Sequence, residues 1–147
     1  MPKIELFDST LRDGAQGEGI SFSVEDKLHI VHALDRLCID FIEAGNPASN
    51  PKEMDFFARA QADPAWDRLV AFSATCRKQV AAKEDAGLHS LLAAGTGTVA
   101  VFGKSSILHV EKILSTTKAE NLRMIEETCS FLRDCGRQVF FDAEHFF

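Results

Sequence analysis

A strand-then-helix unit recurs along this 147-residue chain, and no other feature restricts its fold so strongly. Apolar runs begin near residues 4, 41, 70, 99 and 139, at intervals of 37, 29, 29 and 40 residues, the length a βα unit requires. The runs at 4–7, 38–42, 69–72, 98–102 and 139–141 are read as strands. Between them, Val24, Leu28, Val31, Leu34 and Cys38 form one stripe at helical period behind a Ser23 cap. Asn50-Pro51-Lys52-Glu53 opens a second helix running to about Gln61, with asparagine as cap and proline at the first helical position. Val80 to Ala94 reads as a third helix and His109 to Leu114 as a short one. Thr117-x-x-Glu120 is a capping box for the last, with Leu122, Ile125, Cys129 and Leu132 as its buried stripe and Gly136 as its stop.

Strands joined by crossover helices lie parallel, so the fold class is α/β, either a doubly wound open sheet or a (β/α)8 TIM barrel. Two features favour the barrel. No G-x-G-x-x-G follows the first strand, and polar or ionisable side chains stand at every strand exit rather than at one switch point. Eight units need about 250 residues. Residues 1–147 supply four units and a fifth strand, and are expected to be the N-terminal half of a single barrel with no internal domain boundary.

Composition removes several functions. With 22 acidic against 16 basic residues, net charge −6, and no basic cluster, the chain offers no footprint for nucleic acid or an anionic membrane. No apolar run approaches the ~20 residues of a bilayer span, and Met1-Pro2-Lys3 does not open a signal peptide, so a cytoplasmic location is expected. Cys38, Cys76, Cys129 and Cys135 lack C-x-x-C or zinc-finger spacing and are expected to be reduced and mostly buried.

Chemistry-bearing residues gather at strand exits, the catalytic rim of a barrel. Asp8 to Gln16 places two carboxylates, the Arg12 guanidinium and an amide within nine residues. Such a set could hold a hard divalent cation and a small oxyacid, or could be a solvated loop whose aspartates cap turns. Glu43 and Glu144 end the second and fifth strands and should face the same rim, as general base, metal support or ion-pair partner of Arg12. Thr75, Lys104 and His145 are further strand-end candidates. His29, His32, His89 and His109 are read as surface or satisfied histidines, and Phe140, Phe141, Phe146 and Phe147 as packing.

The stretch Phe7-Asp8-Ser9-Thr10-Leu11-Arg12-Asp13-Gly14-Ala15-Gln16-Gly17-Glu18-Gly19 resembles the signature of the metal-dependent acyl-CoA condensing and cleaving TIM barrels. That superfamily includes isopropylmalate, homocitrate and citramalate synthases and hydroxymethylglutaryl-CoA lyase. Gly17 to Lys27, Ser49 to Lys52, Phe102 to Ser105, Leu108 to Val110 and Phe141 to Phe147 are most similar to the bacterial citramalate synthase branch. The resemblance implies a Claisen-type condensation of acetyl-CoA with pyruvate, giving citramalate and CoA on the way to isoleucine. A larger keto acid, as in isopropylmalate synthase, and a noncatalytic half barrel acting by assembly are the alternatives.

Residue by residue, the resemblance implies Asp13 as ligand of a divalent metal (Mg²⁺, Mn²⁺ or Zn²⁺) and Arg12 as the group meeting enolate and keto-acid oxygens. It implies Glu144 as acid/base, and Gln16 and Glu43 beside the substrate, where the strand-end Thr75 is also expected from its position. It also implies a homodimer, and two further metal-binding histidines in an H-x-H that this sequence does not contain. Residues 1–147 alone are therefore expected to be inactive.

Overall fold

The computed structural model describes residues 3–147. Met1 and Pro2, on which the expectation of no leader partly rests, lie outside the described residues. Five parallel strands pair in sequence order: β1 (Phe7–Asp8), β2 (Phe41–Gly45), β3 (Leu69–Ala74), β4 (Thr98–Lys104) and β5 (Gln138–Glu144). Between them run α1 (Val24–Arg36), α2 (Pro51–Ala60), α3 (Ala86–Ala93), α4 (Ile107–Lys112) and α5 (Lys118–Asp134).

Side chains alternate across the sheet. Ile42, Ala44, Leu69, Ala71, Val99 and Val101 point outward and pack under Val31, Phe56, Phe57, Leu88, Met124 and Leu132 of the helices. Val70, Phe72 and Ala100 point to the other side, with Phe41, Phe102 and Phe140 packed against them. There, Phe140 of β5 meets Phe41 of β2 at 4.9 Å between ring centroids and Phe7 of β1 at 5.3 Å, both edge to face. Four strand spacings of about 4.8 Å would hold β1 and β5 roughly 19 Å apart in a flat sheet, beyond the reach of two phenylalanines. The sheet is curled, its helices lie on the convex side, and the architecture is half of a TIM barrel, as the strand exits indicated.

Several boundaries differ from the sequence reading for local reasons. Residues 4–6 stay outside the β1 ladder, because Leu6 is tied to the Asp40 carboxylate through its N–H (3.0 Å) while its carbonyl accepts from Asp40 and Phe41. Cys38 opens no strand: it lies at φ 58° and closes α1, with Cys38 N–H bonding Asp35 O and Ile39 N–H bonding Leu34 O, the two bonds of a Schellman stop. The third helix starts at Ala86, since Asp85 Oδ1 accepts from the N–H groups of Gly87 and Leu88.

The buried face of α5 is rotated by one residue from the expected stripe: Asn121, Met124, Thr128 and Leu132 are inside, and Leu122 is exposed. Asn121 Nδ2 donates to Lys104 O (2.9 Å) and Thr128 Oγ1 accepts from Cys76 N–H (2.9 Å), so polar side chains close the backbone where β3 and β4 end. Of the cysteines only Cys76 is buried, Cys129 is half-buried, and Cys38 and Cys135 are exposed. Phe141, Phe146 and Phe147 are likewise exposed, and only Phe140 joins the interior cluster. No helix of the described residues is long and apolar enough to cross a membrane.

Candidate active site

The β1–α1 loop is built to aim Arg12. Ser9 O accepts from the N–H groups of Arg12, Asp13 and Gly14, and Asp8 takes both the N–H and the hydroxyl of Thr10, so Asp8 is a turn-forming carboxylate. The Arg12 guanidinium lies 4.1 Å over the Phe72 ring. Its Nε donates to Glu43 Oε2 at 2.6 Å and its Nη1 to Asp13 Oδ1 at 3.0 Å. Glu43 is 2% exposed, and burial pushes its carboxyl above the usual range against the opposing pull of Arg12, with Asp142 and Asp13 adding to the rise. Arg12, Glu43, Asp142 and Ser9 line a cavity of about 320 Å³ on the concave side.

Glu144 stands at the same rim, at the end of β5, but is ion-paired with Lys104, its register partner on β4, and its side chain is 36% exposed. The burial a neutral-range carboxylate base needs therefore sits at Glu43 rather than at Glu144. Gln16 ends a 3-10 turn and lines a second cavity, of about 480 Å³, that shares Arg12. Thr75 is buried but belongs to a third, apolar cavity with Cys76, Lys78 and Met124, beyond the stacked rings of Phe72 and Phe102. The structure thus brings Arg12, Asp13 and Glu43 into contact, sets Gln16 beside them, and leaves Thr75 apart.

Asp13 is 64% exposed and is one carboxylate already engaged by Arg12. Among the described residues no three His, Cys, Asp or Glu side chains are grouped to hold a metal ion. These residues alone do not make up a divalent-cation centre. Of the histidines, His32 pairs with Asp63 and His89 with Lys83 O, but His109 meets His145 edge to face at 4.1 Å between ring centroids, with its Nδ1 buried and unpartnered among the described residues.

Lys27, Glu53 and Asp142 were not among the site residues expected from the sequence, where Glu53 figured as part of a helix start. Lys27 had a visible signal: it lies three residues after Val24 and four before Val31, on the core-facing side of α1. Its ammonium, 2% exposed, donates to Glu53 Oε2 at 2.6 Å.

The HMGL-like family model matches residues 3–147. An (R)-citramalate synthase of Synechocystis is 51% identical over 97% of this chain and 26% of its own length, and one of Aquifex aeolicus is 47% identical over 99% and 28%. A 2-isopropylmalate synthase of Pyrococcus furiosus is 32% identical over 97% and 28%. The chain spans about a quarter of the length of these curated relatives. Among solved structures, the Bacillus subtilis HMG-CoA lyase superposes with TM-score 0.70 at 20% identity, over 95% of this chain and 45% of the lyase.

Proposed function

The chain belongs to the HMGL-like family, and on that premise we propose that residues 1–147 form the N-terminal part of the single TIM-barrel catalytic domain of an acyltransferase that condenses acetyl-CoA with pyruvate. The products are citramalate and CoA. The observation that carries the reading is the Arg12–Glu43 pair at the rim, in a sequence closer to citramalate synthases than to a 2-isopropylmalate synthase.

Arg12 has five N–H donors, and Glu43 and Asp13 accept from two of its nitrogens, which leaves its second terminal nitrogen for a substrate oxygen. A base removes a methyl proton from acetyl-CoA, and the resulting carbanion forms a C–C bond to the ketone carbon of pyruvate. The ketone oxygen takes the electron pair and then a proton, while Arg12 meets the negative charge with fixed donors. Water then cleaves the thioester, releasing CoA. The acid/base role goes to Glu144 on the resemblance of its position, although Glu144 is ion-paired with Lys104 rather than buried; the buried Glu43 is committed to Arg12, which it holds in place at the substrate pocket, and Gln16 and, beyond Phe102, Thr75 complete the proposed substrate-binding residues.

HMGL-like condensing enzymes are in general divalent-metal dependent. Asp13 is the one ligand we assign here to Mg²⁺, Mn²⁺ or Zn²⁺, further ligands coming from outside these residues, and no step above is routed through the ion. A cytoplasmic location and a homodimer belong to the same proposal.

The test is CoA release from acetyl-CoA by the full-length protein, with pyruvate and 2-ketoisovalerate compared. Pyruvate should be preferred in kcat/KM, and Arg12→Gln should lower kcat by about 10²–10³. Preference for 2-ketoisovalerate would assign a 2-isopropylmalate synthase, and no release with either keto acid would refute the condensation.

A further inference from the structure

The 480 Å³ cavity beside Arg12 runs between the β1–α1 loop and the start of α2, and its floor is the buried Lys27–Glu53 pair. A lysine ammonium has three N–H donors. Lys27 gives one to Glu53 Oε2, its ammonium lies 4.7 Å from the Phe56 ring centre, and among the described residues no other acceptor meets it. Buried donors are ordinarily matched, and the side open to Lys27 is the cavity. Gly45, at φ 130°, keeps that approach free: a Cβ there would lie 2.2 Å from Glu53 Oε2 and 3.0 Å from Lys27 Nζ.

The walls add more donors than acceptors. Lys52 also lines the cavity, its Nζ donating to the neutral carbonyl of Phe22 at 2.8 Å. Asn46 uses its Oδ1 on Ala48 N–H, leaving its amide N–H groups to the cavity lining, and Gln16 and Ser49 stand beside it. Of the charged side chains that line the cavity, Arg12, Lys27 and Lys52 are cations and Glu53 is an anion, and among the described residues Lys52 is the one of the three cations with no carboxylate partner.

We propose that this cavity is a binding site for the oxyanion of a small molecule, a carboxylate or a phosphate, held between Lys27 and Lys52 and separate from the oxygen Arg12 meets in the condensation. The site borders the proposed catalytic rim but does not depend on that activity, so its test uses neither thioester nor keto acid.

Inorganic phosphate and propionate are titrated separately into the full chain, followed by calorimetry and by amide NMR shifts. Saturable binding is expected, with shifts at Gly45, Asn46 and Lys52, and the tighter of the two probes tells a phosphate source from a carboxylate source. Lys52→Gln should weaken binding about tenfold. Because Lys27→Met alone would strand Glu53, the floor is tested by the double variant Lys27→Met/Glu53→Leu, which replaces the pair by packed apolar groups and should abolish saturation while the protein remains folded by circular dichroism. Failure of both probes to saturate, or binding unchanged in both variants, would overturn the proposal whether or not CoA release is observed.

Discussion

Arg12 and Lys27 are cations that the fold draws inward, Lys27 held by Glu53 and Arg12 by the buried Glu43 and the exposed Asp13. The buried partner of Arg12 makes that pair sensitive to pH. Burial raises the Glu43 carboxyl, so the folded chain holds that proton more tightly than the unfolded one. The associated stability is complete below the ordinary carboxylate value of about 4.3 and is lost as pH rises through the raised value. Glu43→Gln should therefore flatten the stability profile above about pH 4.3, which urea unfolding at a series of pH values would show; an unchanged profile would place the rise elsewhere. Glu120 has the opposite sign. Arg123 and the Gln79 N–H hold its carboxyl down at about 2, so its contribution is present above the ordinary value and disappears as acid is added. Carbon-detected NMR titration of Glu120 should give a midpoint near 2 in the native chain and a higher one in Arg123→Gln, which removes the larger of the two holds. For Lys27 the expected effects are larger: Lys27→Met alone should cost about 3–5 kcal/mol by stranding Glu53, against a near-neutral double replacement with Glu53→Leu.

The helix ends show what a linear pattern conveys and what it omits. α1 and α5 stop by the same pair of backbone bonds, and the residue in the left-handed position is Cys38 in one and Gly136 in the other. A side chain there is strained by about 1–2 kcal/mol, and glycine's greater freedom when unfolded offsets about half of that. Cys38→Gly should raise stability by about 0.5–1 kcal/mol, a melting shift of roughly 2 °C for a chain of this size; a decrease would mean that Cys38 packs usefully. Gly136 announced its stop in the sequence, whereas Cys38 looked like the first apolar residue of a strand. The α5 stripe was misread for a related reason. Apolar period alone picks Leu122 and Cys129, but Asn121 and Thr128 are drawn inward by unpaired backbone groups at the ends of β3 and β4, which no local pattern reveals. Asn50, Ser23 and Thr117 were legible because a cap involves only residues three apart; even so, Glu120 does not complete its capping box, turning to Arg123 and Gln79 instead. In the candidate site, Arg12, Asp13 and Glu43 were legible at strand exits. The Lys27–Glu53 pair was not, since it depends on how α1 packs on α2.

At the scale of the molecule, the decisive property is curvature, because it turns five strand exits into one concave rim. The βα spacing made parallel strands legible but leaves open and curled sheets alike, and only the strand-exit chemistry argued for curling. In the structure that curvature is expressed by Phe7, Phe41 and Phe140 meeting across the concave face, although Phe7 remains 43% exposed. Phe7 and Phe140 come from the first and last strands, which share no ladder. A double-mutant cycle of Phe7→Leu and Phe140→Leu isolates their interaction from the burial each loses. In the curled sheet the coupling should be about 0.5–1 kcal/mol, the range of an edge-to-face pair that solvent partly reaches. In a flat sheet two residues some 19 Å apart have no shared contact, and their changes in unfolding free energy would simply add. Phe41→Leu in place of Phe7→Leu supplies the control: β2 and β5 are also without a shared ladder, and Phe41 lies 4.9 Å from Phe140. Coupling in both cycles is the signature of a half barrel. Strict additivity in both would mean that Arg12, Glu43 and Glu144 do not share a rim.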